Sequence, residues 1–118
     1  MLQPKIYVKD KNKVYDTQVI DYKHKLVIFF DNETQCTYTR LFDEIEFMEN
    51  TGYIDKNGTF IYLRDIVEIA GSYFEIKYRA LKGYVIENEE YTLSLEANLD
   101  SVSIVGNIYE NKELVENE

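Results

Sequence analysis

Catalytic chemistry in this chain would have to start from a single histidine and a single cysteine. His24 stands in the polar turn Lys23-His24-Lys25, and Cys36 approaches it only if the segments flanking Leu26 to Phe30 pair as strands. A Cys-His pair needs an orienting third group and an electropositive cleft to make a thiolate nucleophile, and neither is announced. An exposed turn histidine and a small core or half-exposed cysteine is the simpler reading. One cysteine and one histidine are too few for a zinc site. Asp55-Lys56-Asn57-Gly58 offers alternating oxygen side chains before a glycine, as a calcium loop does. Tyr53 and Arg64, however, stand where further oxygen ligands would be required, so the stretch reads as a turn. Glycine loops of the phosphate-cradling kind are absent. No catalytic residue, metal or cofactor is assigned, and enzymatic activity is not expected.

Binding chemistry is better supplied. Eleven tyrosines and six phenylalanines occur without tryptophan. Tyrosine buries area while keeping a polar tip, so it serves core and binding surface alike. Tyr73, Tyr84 and Tyr91 fall in adjacent late segments and would form a stacking surface for a ring or base if they shared a face. The net charge is −9, unevenly spread: residues 1 to 40 hold seven Lys/Arg against five Asp/Glu, a balance of +2, and residues 41 to 118 hold six against seventeen, a balance of −11. Such a surface repels phosphates, so direct binding to nucleic acid is disfavoured outside a local basic patch of Lys9, Lys11, Lys13, Lys23 and Lys25. The candidate partner-binding acids are Asp43, Glu44, Glu46, Glu49, Glu87, Glu89, Glu90, Glu96 and Asp100. Solubility and protection of strand edges explain the same acids without a partner.

Short apolar segments broken by turns must position these groups. Ile6 and Val8 belong to an opening strand, Val14 to Tyr22 to a second, and Leu26 to Phe30 to a central strand covered on both faces. Cys36, Tyr38 and Arg40 continue as an outer strand. Phe42 to Phe47 alternates, with Ile45 and Phe47 opposed to Glu44 and Glu46. Asp55, Asn57 and Gly58 specify a tight reversal leading to Phe60-Ile61-Tyr62, and Asp65 opens a strand that runs to Ile69. Ala70-Gly71-Ser72 turns into Tyr73 to Tyr78, followed by Tyr84 to Ile86 and Tyr91 to Leu95. Helix is expected only as short turns, at Leu95 to Leu99 and more weakly at Leu41 to Met48. Gly106 marks a bulge in a last strand, Ile104 to Tyr109. Strands about ten residues apart predict an all-β barrel or sandwich. Residues 1–118 are expected to form one domain, with an N-terminal β meander over residues 1–50, a barrel core over 51–109 and a frayed acidic tail over 110–118, the whole closing as one tyrosine-lined shell.

Three motifs carry a family resemblance. Thr51-Gly52-Tyr53-Ile54-Asp55-Lys56-Asn57-Gly58 running into Phe60-Ile61-Tyr62 and Asp65-Ile66-Val67 resembles the central motif of the YopX-like proteins of phages and prophages. Ile104 to Asn111 with Glu113-Leu114 resembles the closing motif, and Lys5-Ile6-Tyr7 with Asp10 the opening one. Leu63 and Arg64 depart from the acidic residue and glycine usual before Asp65, which puts the corner geometry in question, and Lys112 replaces a proline. The resemblance implies a mainly β fold of SH3-like roll or barrel type and a phage or prophage origin, with no activity attached.

Two functions are carried forward. The first is a non-enzymatic accessory protein engaging a host or phage protein through its acidic side, in the manner of a DNA mimic; Glu44 and Glu46 on one strand face would stand about 6.6 Å apart, two strand rises. The second is a small-molecule or nucleotide-binding barrel using the alternation Lys5, Tyr7, Lys9 and Lys13, Tyr15. A purely structural role is the third. A lone cysteine, the lack of an apolar run of about 18 residues and an opening that passes straight into a strand predict the bacterial cytoplasm, with no membrane contact. Self-association is expected of exposed strand edges.

Overall fold

The computed structural model describes residues 2–116. The chain is mainly β and gathers into two compact units, Met1–Glu49 and Asn50–Glu118. In the first unit, β1 (Lys5–Val8) lies between β2 (Lys13–Asp16) and β6 (Ile45–Met48), and β4 (Leu26–Asp31) lies between β3 (Val19–Asp21) and β5 (Cys36–Leu41); all pairs are antiparallel. Ile6, Val8, Tyr15, Val27, Phe29 and Ile45 form its core.

Several expectations for this half are corrected by register. Val14 to Tyr22 is not one strand: it breaks at Thr17-Gln18, and β2 and β3 join different sheets. β4 is covered on one face only, because Val27, Phe29 and Asp31 are buried while Leu26, Ile28 and Phe30 on the other face are half-buried. Phe42–Glu44 is a 3-10 turn, not strand, so Glu44 does not alternate with Glu46; its carboxylate accepts the Leu41 N–H at 2.8 Å. Phe47 is exposed, lying edge-on to Phe42, and Met48 is buried instead.

The second unit holds the hairpin of β7 (Asn50–Ile54) and β8 (Phe60–Tyr62). It also holds a five-stranded antiparallel sheet in the order β12 (Thr92–Ser94), β11 (Gly83–Glu87), β10 (Ser72–Arg79), β9 (Asp65–Ile69), β13 (Ser103–Asn107). Ala70 and Gly71 both take positive φ, 49° and 86°, as a two-residue reversal between right-twisted strands requires. Ile61, Val67, Phe74, Ile76, Ile86, Leu95 and Val102 form a second core. Full burial of each such side chain contributes about 1.5–3 kcal/mol. Each unit thus encloses an apolar cluster of its own.

A 3-10 turn at Glu96–Asn98 matches the helical turn expected there. Glu113–Glu116 forms one α-turn, α1, against β10, where the sequence predicts a frayed tail; Asn117 and Glu118 lie outside the described residues. Among the described residues no helix is long and apolar enough to cross a membrane.

Candidate functional site

The reversal between β7 and β8 is built on Asp55. One carboxylate oxygen accepts the N–H groups of Asn57 and Thr59, both at 2.9 Å, and the other accepts the Ile104 N–H of β13 at 3.1 Å. Burial alone would raise this carboxyl's pKa; the backbone donors Thr59, Ile104 and Asn57 outweigh it and hold the group below its ordinary value. With its oxygens committed to backbone amides, Asp55 is a structural clamp and not a cation ligand. Gly58 supplies the left-handed backbone (φ 83°), and Asn57 reaches Ser103 Oγ at 3.2 Å. Asp65 is also buried and accepts the Tyr62 N–H at 2.8 Å.

β13 is bulged between Ile104 and Gly106, as its glycine foretold. A Cβ at Gly106 would lie 2.4 Å from Asn111 Oδ1, which accepts the Asn107 N–H at 3.2 Å. Asn107 in turn accepts from Tyr109 and Glu110 N–H and donates to Glu110 Oε1 at 2.8 Å. All five structural-turn residues, Asp55, Asn57, Gly58, Asp65 and Gly106, therefore sit in one bonded scaffold.

The predicted acids divide between the units: Asp43, Glu44, Glu46 and Glu49 in the first, Glu87, Glu89, Glu90, Glu96 and Asp100 in the second. Two of the first four are engaged, Glu44 in its turn and Glu46 with Lys9 at 3.7 Å. Glu87 is engaged too. Arg79 at 2.5 Å, Lys77 at 3.0 Å and the Thr92 hydroxyl bond its carboxylate, and chiefly the Arg79 and Lys77 bonds pull its pKa down to about 2. It is a strut, not a free surface charge. Glu89, Glu90, Glu96 and Asp100 differ: they are exposed and make no ion pair among the described residues. Glu89 and Glu90 occupy a turn fixed by Asn88, whose side chain accepts the Glu90 and Tyr91 N–H groups and donates to the Tyr73 carbonyl. Tyr91 follows, 57% exposed. Residues 50 to 118 carry six Lys/Arg against thirteen Asp/Glu, a balance of −7, while residues 1 to 49 carry seven against nine, −2.

The tyrosine trio is not brought together. Tyr84 pairs with Tyr78 across β10 and β11, five residues from Tyr73, so Tyr73 and Tyr84 point to opposite faces of the sheet. Tyr84 packs edge-on against Tyr53 and Tyr78, and Tyr91 lies just ahead of β12. Nor do the cysteine and histidine meet. His24 lies in the β3–β4 turn with Nδ1 2.8 Å from Asp21, and Cys36 lies at the other end of the six-residue β4–β5 ladder.

A cluster in the first unit escaped the sequence reading. Lys11 Nζ sits 3.8 Å over the Tyr38 ring and 3.3 Å from the buried Asp31, which also accepts from Tyr15. Arg40 forks onto Asp10 with two 3.0 Å bonds, and Lys13 pairs with Glu33. The sequence signalled only the Lys/Tyr alternation of β1 and β2; Tyr38 and Asp31 are placed here by the register opposing Tyr38 to Phe29. An opening of about 370 Å³ lies beside it, lined by Lys13, Tyr15, Thr17, Phe30 and Asp31 among others.

The family model for YopX protein matches residues 3–116. The chain belongs to the YopX family. No curated protein matches it. Among solved structures it is similar to protein EF1440 from Enterococcus faecalis, at 20% identity over 96% of each chain, with a TM-score of 0.64, a likeness of fold. In this YopX chain the central and closing motifs form one assembly: Asp55 bonds the Ile104 amide, the Lys56 N–H reaches Val102 O at 3.1 Å, and the Ile108 N–H reaches Arg64 O at 2.8 Å. The corner before Asp65 is made by Arg64, which takes the left-handed backbone at φ 78° and whose guanidinium bonds the buried Glu75 at 2.9 Å. Lys112 stands just ahead of α1 and pairs with Glu116 at 3.1 Å.

Proposed function

We propose that this YopX protein is a non-enzymatic accessory protein of phage or prophage origin that captures a basic protein partner through its second unit. The observation carrying this reading is the fixed, uncompensated acidic loop Glu89-Glu90 with the exposed Tyr91, in a unit of balance −7 that also exposes Glu96 and Asp100 beyond the far end of β12. Preorganised like charge with an aromatic anchor suits a positively charged groove: it steers encounter, while Tyr91 supplies buried area. A nucleic-acid enzyme whose groove holds phosphates is the partner class that fits, the acidic loop standing in for the backbone. The test is capture of partners from infected bacterial cytoplasm by the wild-type chain and by the Glu89→Gln, Glu90→Gln, Glu96→Gln variant. Capture that weakens with salt and falls at least tenfold in the variant supports the reading; capture unaffected by the three changes overturns it.

A second reading draws on Lys13 and Tyr15, which line the opening of about 370 Å³ and could hold a small anionic or nucleotide ligand by charge and stacking. Thermal stabilisation by nucleotides, abolished in Lys13→Ala, supports it; unmoved melting curves sink it.

A further inference from the structure

Sheet edges that end in solvent invite another strand, and native proteins blunt them with short length, bulges, prolines or charges. Most edges here are blunted. β3, β8 and β12 have three residues each, β13 and β7 are interrupted, β2 carries Lys13 and Asp16, and β6 carries Glu46. β5 is not. It is regular over six residues, its stretch Cys36-Thr37-Tyr38-Thr39 is uncharged, and its one charged side chain, Arg40, is turned onto Asp10.

Register fixes which groups β5 presents. The Phe42 N–H bonds the Lys25 carbonyl, so the even-numbered amides of β5 face β4. The odd ones face outward, consistent with the Leu41 N–H bonding Glu44 and the Thr39 carbonyl receiving Arg40. The N–H groups of Thr37 and Thr39 and the Thr37 carbonyl therefore point away from the sheet without a partner among the described residues. Both threonines are exposed.

We infer that β5 is a self-pairing edge whose occupant is β5 of a second copy of this chain. An antiparallel approach with a two-fold axis at Tyr38 sets Thr37 opposite Thr39 of the second copy and Thr39 opposite its Thr37. Each pair exchanges two N–H to carbonyl bonds, four in all; two of them use the second lone pair of the Thr39 carbonyls, whose first accepts Arg40 Nη1 at 2.9 Å, and no like charges meet within Cys36–Thr39. The apolar outer face would run on across the junction, joining Leu41 (50% exposed) and Val19 (46% exposed) with half-buried Leu26, Ile28 and Phe30 in both copies. Because each chain carries −9, added salt strengthens this association. Capture of a basic partner has the opposite dependence, so the two fail independently.

Sedimentation equilibrium of the full chain up to about 200 µM, at low and high salt, tests the inference. The expected result is a dimer tightened by salt. Thr37→Pro removes an outward N–H that β4 does not use, and Thr39→Lys places a charge one residue from the axis on each side of the junction; each is expected to weaken the dimer at least tenfold with an unchanged circular dichroism spectrum. Should Thr37→Pro unfold, Thr39→Lys alone decides. A wild type monomeric throughout, or folded variants that dimerise like wild type, overturns the inference.

Discussion

Asp55→Asn is the sharpest probe of the scaffold. The substitution keeps shape and one acceptor oxygen, so the Asn57 and Thr59 amides remain bonded. The second oxygen becomes an NH2 group facing the Ile104 N–H at 3.1 Å, donor against donor. A charge-assisted bond is lost and a half-buried amide is left unsatisfied, which together cost about 2–4 kcal/mol. Asp55→Ala frees all three amides and should cost about 4 kcal/mol or more, a large share of a small domain's stability. Urea unfolding reads both as a lowered midpoint at unchanged slope. Amide exchange adds a local reading: Ile104 in Asp55→Asn should lose protection before the β10 amides do. The same carboxyl makes stability pH-dependent. Its folded pKa is depressed, so its contribution is present above the ordinary carboxylate value and is lost as pH falls through the folded one. An Asp55→Asn chain within about 0.5 kcal/mol of wild type, with Ile104 exchange unchanged, would refute the clamp.

Three further outcomes are expected. Gly106→Ala drives a Cβ into Asn111 and should destabilise by about 1–3 kcal/mol in thermal or urea melts, with partial recovery when Asn111→Gly is added. Glu87, with its pKa drawn from 4.5 to about 2, supplies up to about 3 kcal/mol above pH 4.5 that fades between there and pH 2; Glu87→Gln should flatten that portion of an acid-unfolding curve. Leu81 is fully exposed with φ 73°, so Leu81→Gly should raise stability by about 0.5–1 kcal/mol, visible as a higher melting temperature.

Local chemistry was legible wherever a residue acts on its near neighbours. Asp55, Asn57 and Gly58 announced a reversal, Ala70-Gly71 a hairpin and Gly106 a bulge, because backbone conformation and side-chain-to-backbone bonds are settled within a few residues. Facing was not legible where it depends on distant partners. Tyr73, Tyr84 and Tyr91 looked like neighbours until the pairing of Tyr78 with Tyr84 fixed their parity. Glu87 looked like a surface acid until β10 supplied Lys77 and Arg79. Leu26 to Phe30 read as doubly covered because its hydrophobicity is continuous, yet only the Val27 and Phe29 side faces a core. The break at Thr17-Gln18 carried no proline or glycine to mark it.

The bond from Asp55 to the Ile104 amide spans 49 residues of chain. On a ribosome this carboxylate is made early and must stay hydrated, with one oxygen uncommitted, until the closing strand has been translated and has left the exit tunnel. Closure of the corner therefore depends on the last strand: without β13, Asp55 can hold the Asn57 and Thr59 amides but has no Ile104 amide to accept from.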